Sequence, residues 1–395
     1  MSRILRFLLI YTCFLSNMII AKNLGDYSYS KIKLTNGINN IMVEAKSKYD
    51  FTAGEISVLS PYISHYPINA YYGYTSKLST QPINEFSIFQ IGSITKTFTA
   101  LAILKLIKEH KIKLTDTVDK FLPQYKLWNN ITIIQLLNQT SGIYDYSDSF
   151  LWWFRLLIFS NNWSPNELLK ISYGKSYFKP GKSWHYSNIN YVILGLIIEK
   201  ISQKKLDEYF RQNFLKNLNN TFYRPNNPND EIKNKLVHGY YKNKSDMTNI
   251  NGSWLQAGGA MLSNANDVSI WYLFFIQQLM ANKTIFNSFV NINDGKKLNN
   301  LSNIGYSFAV FSMPTPYGLF LFTPGLTSGY TALAGYLPCQ NISFSYILNN
   351  NFNKQNIHQY LLEKILPIII GNKNSNIREK CKKGTLFNKI VFPDF

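Results

Sequence analysis

The sequence predicts an α+β fold in which an antiparallel sheet is flanked by helices and carries a helical insertion lobe. Two observations lead to this prediction. Segments rich in β-branched and aromatic residues lie toward both ends of the chain, whereas the middle has helical periodicity. A sheet with strands from both ends and a helical insertion between them accounts for that order. The 395 residues suffice for one large domain or two closely packed lobes.

The N-terminal half begins with a predicted hairpin and continues with helices. Residues 23–49 are expected to become helical toward their end, and Phe51–Ser60 and Ile68–Thr75 carry strand-forming residues between turn signals. From Ser93 onward, apolar residues recur at helical spacing and form a wide apolar face. Further helices are predicted after a cap at Thr115, ending near Pro123, and over Ile131–Leu137 and Tyr191–Ile201.

The C-terminal half returns to strands after a long polar stretch. Residues 203–250 are rich in Asn and contain Pro225 and Pro228, which predicts mostly loop. The predicted strands and the final helix are Tyr306–Ser312, Gly318–Phe322, Thr331–Gly335, Ile342–Leu348 and about Asn356–Leu366.

These elements suggest a division of the chain into lobes. Residues 22–100 and 235–375 are assigned to a discontinuous sheet lobe, and residues 101–234 to a mostly helical lobe. Residues 376–395 are basic and are expected to form a C-terminal tail.

The formal net charge of +19 raises the question of a nucleic-acid partner. The lysines are scattered, and no run of Lys and Arg is longer than two residues. The joint abundance of Asn, Ile, Lys, Tyr and Phe is typical of coding bias toward AT-rich codons. We therefore expect no nucleic-acid partner.

The N-terminus has the layout of a secretory signal peptide. Arg3 and Arg6 precede an apolar run that reaches Ile20, and Ala21 follows as a small residue at the cleavage point. Residues 1–21 are thus predicted to direct export, to the periplasm or out of the cell. The alternative is that the segment is retained as a membrane anchor.

The three cysteines leave two possibilities open. Cys13 lies in the predicted signal peptide, so Cys339 and Cys381 remain in the mature chain. In an exported protein they can form a disulfide that ties the tail to the body, or stay as two free thiols. No Cys and His residues have metal-ligand spacing, and we expect neither a metal nor a cofactor.

The segment FQIGSITKTFTALAILKLI places Ser93 and Lys96 one helical turn apart. A serine hydroxyl is a poor nucleophile until a base removes its proton, and a partly buried lysine of lowered pKa can be that base. The spacing alone is weak evidence, because Ser28, Ser30, Ser172 and Ser202 begin other Ser-x-x-Lys matches.

The wider context of Ser93 resembles the penicillin-recognising serine hydrolases. This family includes class C β-lactamases, serine D-alanyl-D-alanine carboxypeptidases and related esterases. Five stretches resemble the family's segments in order over about 250 residues: the Ser93 segment, ITIIQLLNQTSGIYDY (131–146), FKPGKSWHYSNINYVILGLIIEKIS (178–202), QAGGAMLSNANDV (256–268) and FTPGLTSGYTALAG (322–335). The resemblance implies a β-lactamase/DD-peptidase-like fold.

The resemblance also implies roles for individual residues. Ser93 would be the acylated nucleophile, Lys96 and Tyr186 the acid/base pair, and Asn188 a substrate anchor. Tyr241-Lys242-Asn243 repeats the Tyr-x-Asn spacing, so only the surrounding residues favour Tyr186 and Asn188. Gln139 stands where a His is common in the family, and we expect a structural role for it.

The third family motif is altered in this chain. The family usually has Lys or His, a small or polar residue and then Gly, whereas this chain has Thr323, Pro324 and Gly325. Thr323 removes the cation, and Pro324 removes an N–H group and any hydroxyl. Gly325 would keep the backbone close to the ligand, and the backbone N–H of Leu326 would complete an oxyanion hole with that of Ser93. Substrates with a free carboxylate are therefore expected to bind less well.

An apolar run follows the Thr-Ser-Gly segment. Nine of the ten residues from Phe150 to Phe159 are apolar, with Arg155 as the exception. The run suits a buried helix of the insertion, or an aromatic lid that makes peripheral membrane contact. It is too short to span a bilayer.

The predicted function is hydrolysis through a Ser93 acyl-enzyme, on D-amino-acid peptides or β-lactams. One alternative is an esterase or amidase whose substrates lack a free carboxylate, and another is a catalytically inactive binding module of the same fold. A Ser-His-Asp hydrolase is disfavoured because no serine lies in a Gly-x-Ser-x-Gly elbow. The oligomeric state and the physiological substrate are left open.

Overall fold

The computed structural model describes residues 31–60, 64, 66–150, 162–225, 229–249, 252–298, 303–352 and 356–370. Its helices are α1 (31–48), α2 (Thr95–Lys108), α3 (Val118–Phe121), α4 (Ile133–Leu137), α5 (Pro165–Ser172), α6 (Ile189–Ser202), α7 (Leu206–Asn213), α8 (Asp230–Lys233), α9 (Gln256–Gly259), α10 (Ala265–Met280), α11 (Lys283–Phe286) and α12 (Asn356–Ile370). None of the helices within these ranges is both long and apolar enough to cross a membrane.

The strands come from both ends of the chain, as predicted. They are β1 (Ala53–Leu59), β2 (Ile68–Gly73), β3 (Phe89–Gln90), β4 (Phe222–Tyr223), β5 (Tyr240–Tyr241), β6 (Ser245–Asp246), β7 (Met261–Ser263), β8 (Val290–Asn291), β9 (Gly305–Ser307), β10 (Val310–Thr315), β11 (Gly318–Leu326), β12 (Thr331–Leu337), β13 (Ile342–Leu348) and β14 (Asn350–Asn351).

The main sheet has eight strands in the order β2-β1-β13-β12-β11-β10-β9-β8, and each neighbouring pair is antiparallel. The N-terminal hairpin β1–β2 pairs with β13 near the C-terminus, in a register that places Ser57 opposite Ser345. The predicted α+β class with an antiparallel sheet is confirmed.

Helices cover both faces of this sheet. Every residue of β1, β12 and β13 is buried, because α10 packs on one face while α1 and α12 pack on the other. Serine hydroxyls attach α10 to the sheet: Ser57 shares a hydrogen bond of 2.9 Å with Ser269, and Ser343 donates to the Ser269 carbonyl at 2.8 Å. A second core joins the sheet to α2, α6 and the other helices that follow Ser93.

One predicted strand proves to be two. The segment expected as a single strand over Tyr306–Ser312 is divided into β9 and β10 by a tight turn. Phe308 and Ala309 occupy the left-handed region at φ 48° and 68°, and Ser307 pairs with Val310 on either side. Two consecutive residues at positive φ match a two-residue hairpin turn, a geometry that their side chains do not signal in the sequence.

One further expectation about the helices was wrong, and several helices were not predicted. The short helix capped in our prediction by Thr115 is α3, and its N-cap is Thr117, which is extended and pairs with Thr132. The region 203–250 contains α7, whose buried residues Leu206, Tyr209 and Phe210 form one face of an otherwise polar helix. Helix α10 was not predicted. Residues 1–21, the run 151–159 and the tail 376–395 lie outside the described residues.

Glu55 is a buried acid on β1 at the N-terminus of α10. Only 1% of the residue is exposed. Its Oε2 accepts the Ala265 N–H at 2.7 Å, whereas Oε1 has no hydrogen-bond partner among the described residues. Burial raises the pKa of Glu55 well above its usual value, opposed by the Ala265 hydrogen bond and assisted by the Asp267 carboxylate. The protein therefore stabilises the neutral acid.

Glu55→Gln is expected to stabilise the protein at alkaline pH. The folded-state pKa lies above the unfolded one, so the wild type loses stability as pH rises from the unfolded pKa toward the folded pKa. Glutamine keeps an acceptor for Ala265 and cannot ionise. At pH 8 the variant should be more stable by about 1 kcal/mol or more, the usual cost of a buried polar group left without a partner, and the difference in stability should close near pH 4.

Urea unfolding of both proteins from pH 4 to pH 8 measures this effect. The exposed Glu85 provides the control variant Glu85→Gln, for which no pH-dependent gap is expected. The prediction would be contradicted if Glu55→Gln and the wild type differed in their free energy of unfolding by the same amount at pH 4 and at pH 8.

Candidate active site

Ser93 lies on a short 3-10 turn, Gly92–Ile94, directly before α2. Gly92 has φ 51°, and a Cβ there would lie 2.7 Å from both the backbone N and O of Leu326. Only glycine allows this approach. The turn is thereby held against the end of β11, and the Leu326 backbone lies beside the residue that precedes Ser93.

Lys96 is buried and its ammonium group has three acceptors. Its Nζ donates to Ser93 Oγ at 3.0 Å, to Asn188 Oδ1 at 2.8 Å and to the Gly258 carbonyl at 2.7 Å. The rings of Tyr186 and Tyr191 lie 5.0 and 5.7 Å from Nζ. The structure thus brings Ser93 and Lys96 together as predicted, and it adds Gly258 as a partner that the sequence analysis did not identify.

Burial sets the protonation of Lys96. Loss of solvent lowers the pKa of the ammonium to about 7, and the negative charge of Asp145 opposes part of that effect. Lysine normally has a pKa near 10.4, so a neutral amine would be rare at neutral pH. At a pKa of about 7 a large share of Lys96 carries a free lone pair, which a general base needs.

Tyr186 also contacts Ser93. Its hydroxyl donates to Ser93 Oγ at 2.9 Å. Burial raises the pKa of Tyr186 well above its usual value, with the nearby Tyr306 contributing. The phenol therefore stays protonated near neutrality and can donate a proton, whereas Lys96 is the better base.

Asn188 links Lys96 to a buried carboxylate. While Oδ1 accepts from Lys96, Nδ2 donates to Asp145 Oδ2 at 3.0 Å. The predicted role of Asn188 as a substrate anchor stays a prediction, and one amide hydrogen is left over for it. Asp145 belongs to the resembling stretch 131–146 but was not singled out, because local periodicity does not reveal a buried carboxylate.

Gln139 holds the segment that carries Tyr186. Its Oε1 accepts the Ser187 N–H at 3.0 Å and also bonds the Asn190 amide. The residue is fully buried and takes a left-handed conformation at φ 64°. Gln139 thus has the structural role that we expected for this position.

In the third motif, the Thr323 side chain points into the protein interior. The residue is 3% exposed, and its Oγ1 donates to the Ala309 carbonyl at 2.7 Å and shares a hydrogen bond of 3.1 Å with Tyr272. The hydroxyl is thus engaged by protein groups. Gly325 approaches the protein's own Ile91 carbonyl, which would lie 2.1 Å from a Cβ. Leu326 is 43% exposed.

A serine flanked by a buried lysine and a tyrosine defines a class of site. It is the arrangement of a serine hydrolase that forms an acyl-enzyme, with the lysine in place of the more common histidine. Within the described ranges, no group of three or more His, Cys, Asp or Glu side chains is arranged to hold a metal ion.

Comparison with known proteins agrees with this class. The chain belongs to the Beta-lactamase family, whose model matches residues 67–364. The protein Flp of Staphylococcus aureus is 32% identical over 219 residues, which cover 52% of this chain and 42% of Flp. The match thus covers less than half of that relative's length.

Two solved structures share the fold. The D-amino acid amidase of Ochrobactrum anthropi superposes with a TM-score of 0.73 at 18% identity, covering 85% of this chain and 99% of the amidase. A class C β-lactamase superposes with a TM-score of 0.68 at 16% identity, covering 86% of this chain and 98% of the other. The predicted β-lactamase/DD-peptidase-like fold and the family resemblance are confirmed.

Proposed function

We propose that this protein is a serine hydrolase that acylates Ser93, with D-amino-acid peptides or β-lactams as its substrates. The observation that carries the proposal is the contact between Ser93 Oγ and Lys96 Nζ at 3.0 Å, with a Lys96 pKa of about 7. The same contact favours an enzyme over an inactive binding module, since mere binding needs no neutral lysine at a serine.

Acylation would proceed with these groups in fixed roles. Neutral Lys96 takes the Ser93 proton, and Oγ attacks the substrate carbonyl carbon. The backbone N–H groups of Ser93 and Leu326 would stabilise the oxyanion. As the tetrahedral intermediate collapses, the carbon–nitrogen bond breaks and Tyr186 donates a proton to the leaving nitrogen, with the Lys96 ammonium restoring the proton balance.

Deacylation would use the same groups in reverse. A water molecule attacks the acyl carbon and gives a proton to neutral Lys96. The bond from the acyl carbon to Ser93 Oγ breaks, and Oγ recovers a proton. The products are a free carboxylic acid and the starting enzyme.

The buried Thr323 favours a second candidate, an esterase or amidase whose substrates lack a free carboxylate. The side chain supplies no cation, and its hydroxyl is held by Ala309 and Tyr272. A carboxylate placed beside this strand would lose its hydration without gaining a charged partner there. A D-amino acid amidase shares this fold, which agrees with the second candidate but does not favour it over the first.

A panel of substrates tests the two candidates. Nitrocefin, a D-Ala-D-Ala peptide, the same peptide as its C-terminal amide, and short-chain p-nitrophenyl esters are assayed side by side. Turnover of the peptide or nitrocefin supports the first candidate. Turnover restricted to the esters and the peptide amide supports the second, and the peptidase proposal then fails.

Thr323→Lys is expected to shift the preference toward carboxylate substrates. A charge-assisted hydrogen bond contributes about 1.5–3 kcal/mol, so the kcat/KM ratio of the D-Ala-D-Ala peptide to its amide should rise by about tenfold or more. The ratio cancels any general loss of activity caused by placing a lysine at a buried position.

Thr323→Met serves as the matched control, because it removes the hydroxyl without adding a charge. An unchanged ratio in a folded Thr323→Lys variant, or an equal rise in Thr323→Met, would mean that the missing cation does not limit carboxylate binding. Thermal unfolding confirms that both variants are folded.

Export of the protein is likewise a proposal. The charged and apolar layout of residues 1–21 supports it. A second support is that Cys339 is disulfide-bonded, since disulfides persist mainly in oxidising compartments. The partner of Cys339 lies outside the described residues.

A further inference from the structure

Asp145 is a buried carboxylate behind the active site. It is 3% exposed and begins the 3-10 turn Tyr146–Asp148, where its Oδ1 accepts the Ser147 N–H and hydroxyl, each at 2.9 Å. Its Oδ2 accepts both the backbone N–H and the Nδ2 of Asn188. No ion pair found among the described residues includes Asp145. Its charge is therefore compensated only by hydrogen bonds and by whatever charge Lys96 carries.

The carboxylate dictates the orientation of the Asn188 amide. An ionised carboxylate can only accept hydrogen bonds, so Asn188 must turn its NH₂ group toward Asp145. The amide oxygen then faces Lys96 and accepts from Nζ at 2.8 Å. Without Asp145, Asn188 would be free to turn its NH₂ group toward Lys96, where a donor would compete for the lone pair of the neutral amine.

We propose that Asp145 is a positioning residue that acts through Asn188 to set the protonation and orientation of Lys96. The inference rests on the proposed function for its catalytic meaning. Asp145 thus supports the general base of the site without contacting the nucleophile or the substrate.

The charges around the two groups support this role. Within the described part of the chain, Asp145 is the one charged group that shifts the pKa of Lys96. Its negative charge raises that pKa, whereas burial lowers it. The other titratable groups that face Lys96 are the phenols of Tyr186 and Tyr191. The titratable groups that interact with Asp145 are Asp148, Tyr144, Tyr146, Tyr177 and Tyr186.

Burial raises the pKa of Asp145 on balance, and the hydrogen-bond donors around the carboxylate, from Asn188 and Ser147, oppose that effect. A carboxylate that accepts several hydrogen bonds favours ionisation. Loss of this charge should let burial lower the pKa of Lys96 further, so the base would become neutral at a more acidic pH.

The test is the pH dependence of kcat/KM in Asp145→Asn with a neutral p-nitrophenyl ester. The part, or limb, of the kcat/KM profile that rises with pH should move by about one pH unit toward acid. This is the order of magnitude expected when one nearby charge no longer acts on Lys96 inside a protein. Asp148→Asn is the matched control: it removes an equal charge three residues away, from an exposed side chain, and its limb should stay in place. Asp145→Ser repeats the test with a smaller neutral acceptor if Asp145→Asn does not fold.

A merely structural role would lower kcat without moving the limb, and that result would overturn the proposal. An equal shift in Asp148→Asn would also overturn it, because it would indicate a general field effect. A second measurement separates this inference from the proposed function. Carbon-13 NMR of labelled lysine follows the Lys96 titration in Ser93→Ala, with Lys96→Met for assignment. If Asp145→Asn moves that titration, the inference holds even if no tested substrate is turned over; if it does not, the inference fails.

Discussion

Ser93→Ala is expected to abolish both turnover and covalent labelling by a serine-directed probe. Loss of a serine nucleophile in a coupled catalytic unit lowers kcat by several orders of magnitude, on the order of 10⁴–10⁶-fold. The fold should persist, since Ser93 is only half-buried and Lys96 keeps Asn188 and Gly258 as partners. Probe labelling read by mass spectrometry, together with ester hydrolysis, measures both effects.

The chain offers a matched control for this variant. Ser202 also precedes a lysine by three residues, but it lies at the end of α6, and its Oγ accepts the Lys204 N–H. Ser202→Ala should keep full labelling and turnover. Labelling that persists in Ser93→Ala would refute Ser93 as the nucleophile. A folded wild-type protein that no probe labels would favour the binding module instead.

Lys96→Met is expected to lower kcat/KM by about 10²–10⁴-fold, the contribution of a positioned general base. In the wild type, kcat/KM should rise with pH through about 7, because the neutral amine is the active form and burial lowers the Lys96 pKa to that value. Methionine has no proton to exchange, so the remaining activity of the variant should lack this limb. The pH profiles of both proteins with a neutral ester measure the effect.

Lys96→Arg separates the base from its charge. Arginine keeps a positive charge at every accessible pH and cannot be a base. It should therefore be as inactive as methionine if Lys96 acts by accepting a proton. An active Lys96→Arg variant, or a wild-type limb centred near the ordinary lysine pKa, would contradict the role of Lys96 as the base.

The Ser-x-x-Lys spacing together with the family resemblance was enough to predict that Ser93 and Lys96 meet, and strand patterns predicted most strands of the main sheet. Ser93 and Lys96 are three residues apart, so a single turn of chain places them together. Strands β12 and β13 were predicted because runs of β-branched and aromatic residues mark buried strands. The split of one strand at Phe308 and Ala309 was not predicted, because neither residue type indicates positive φ.

The remaining parts of the site depend on contacts between distant residues. Lys96 meets Asn188 at a separation of 92 residues and Gly258 at 162. Asp145 lies beside Asn188 only because the two segments, 43 residues apart, pack together in the folded chain. No local periodicity reports such pairs, since hydrogen bonds between side chains depend on how whole elements pack.

By itself, the sequence determined which chemical groups this protein has: a serine and a lysine one turn apart, and a third motif without a cation. The tertiary structure alone decided what those groups can do. Burial among α2, α6 and α9 lowers the Lys96 pKa to about 7, and packing against Ala309 and Tyr272 turns Thr323 inward. The physical reason is that a pKa and a side-chain direction depend on desolvation and on charges supplied by remote parts of the chain.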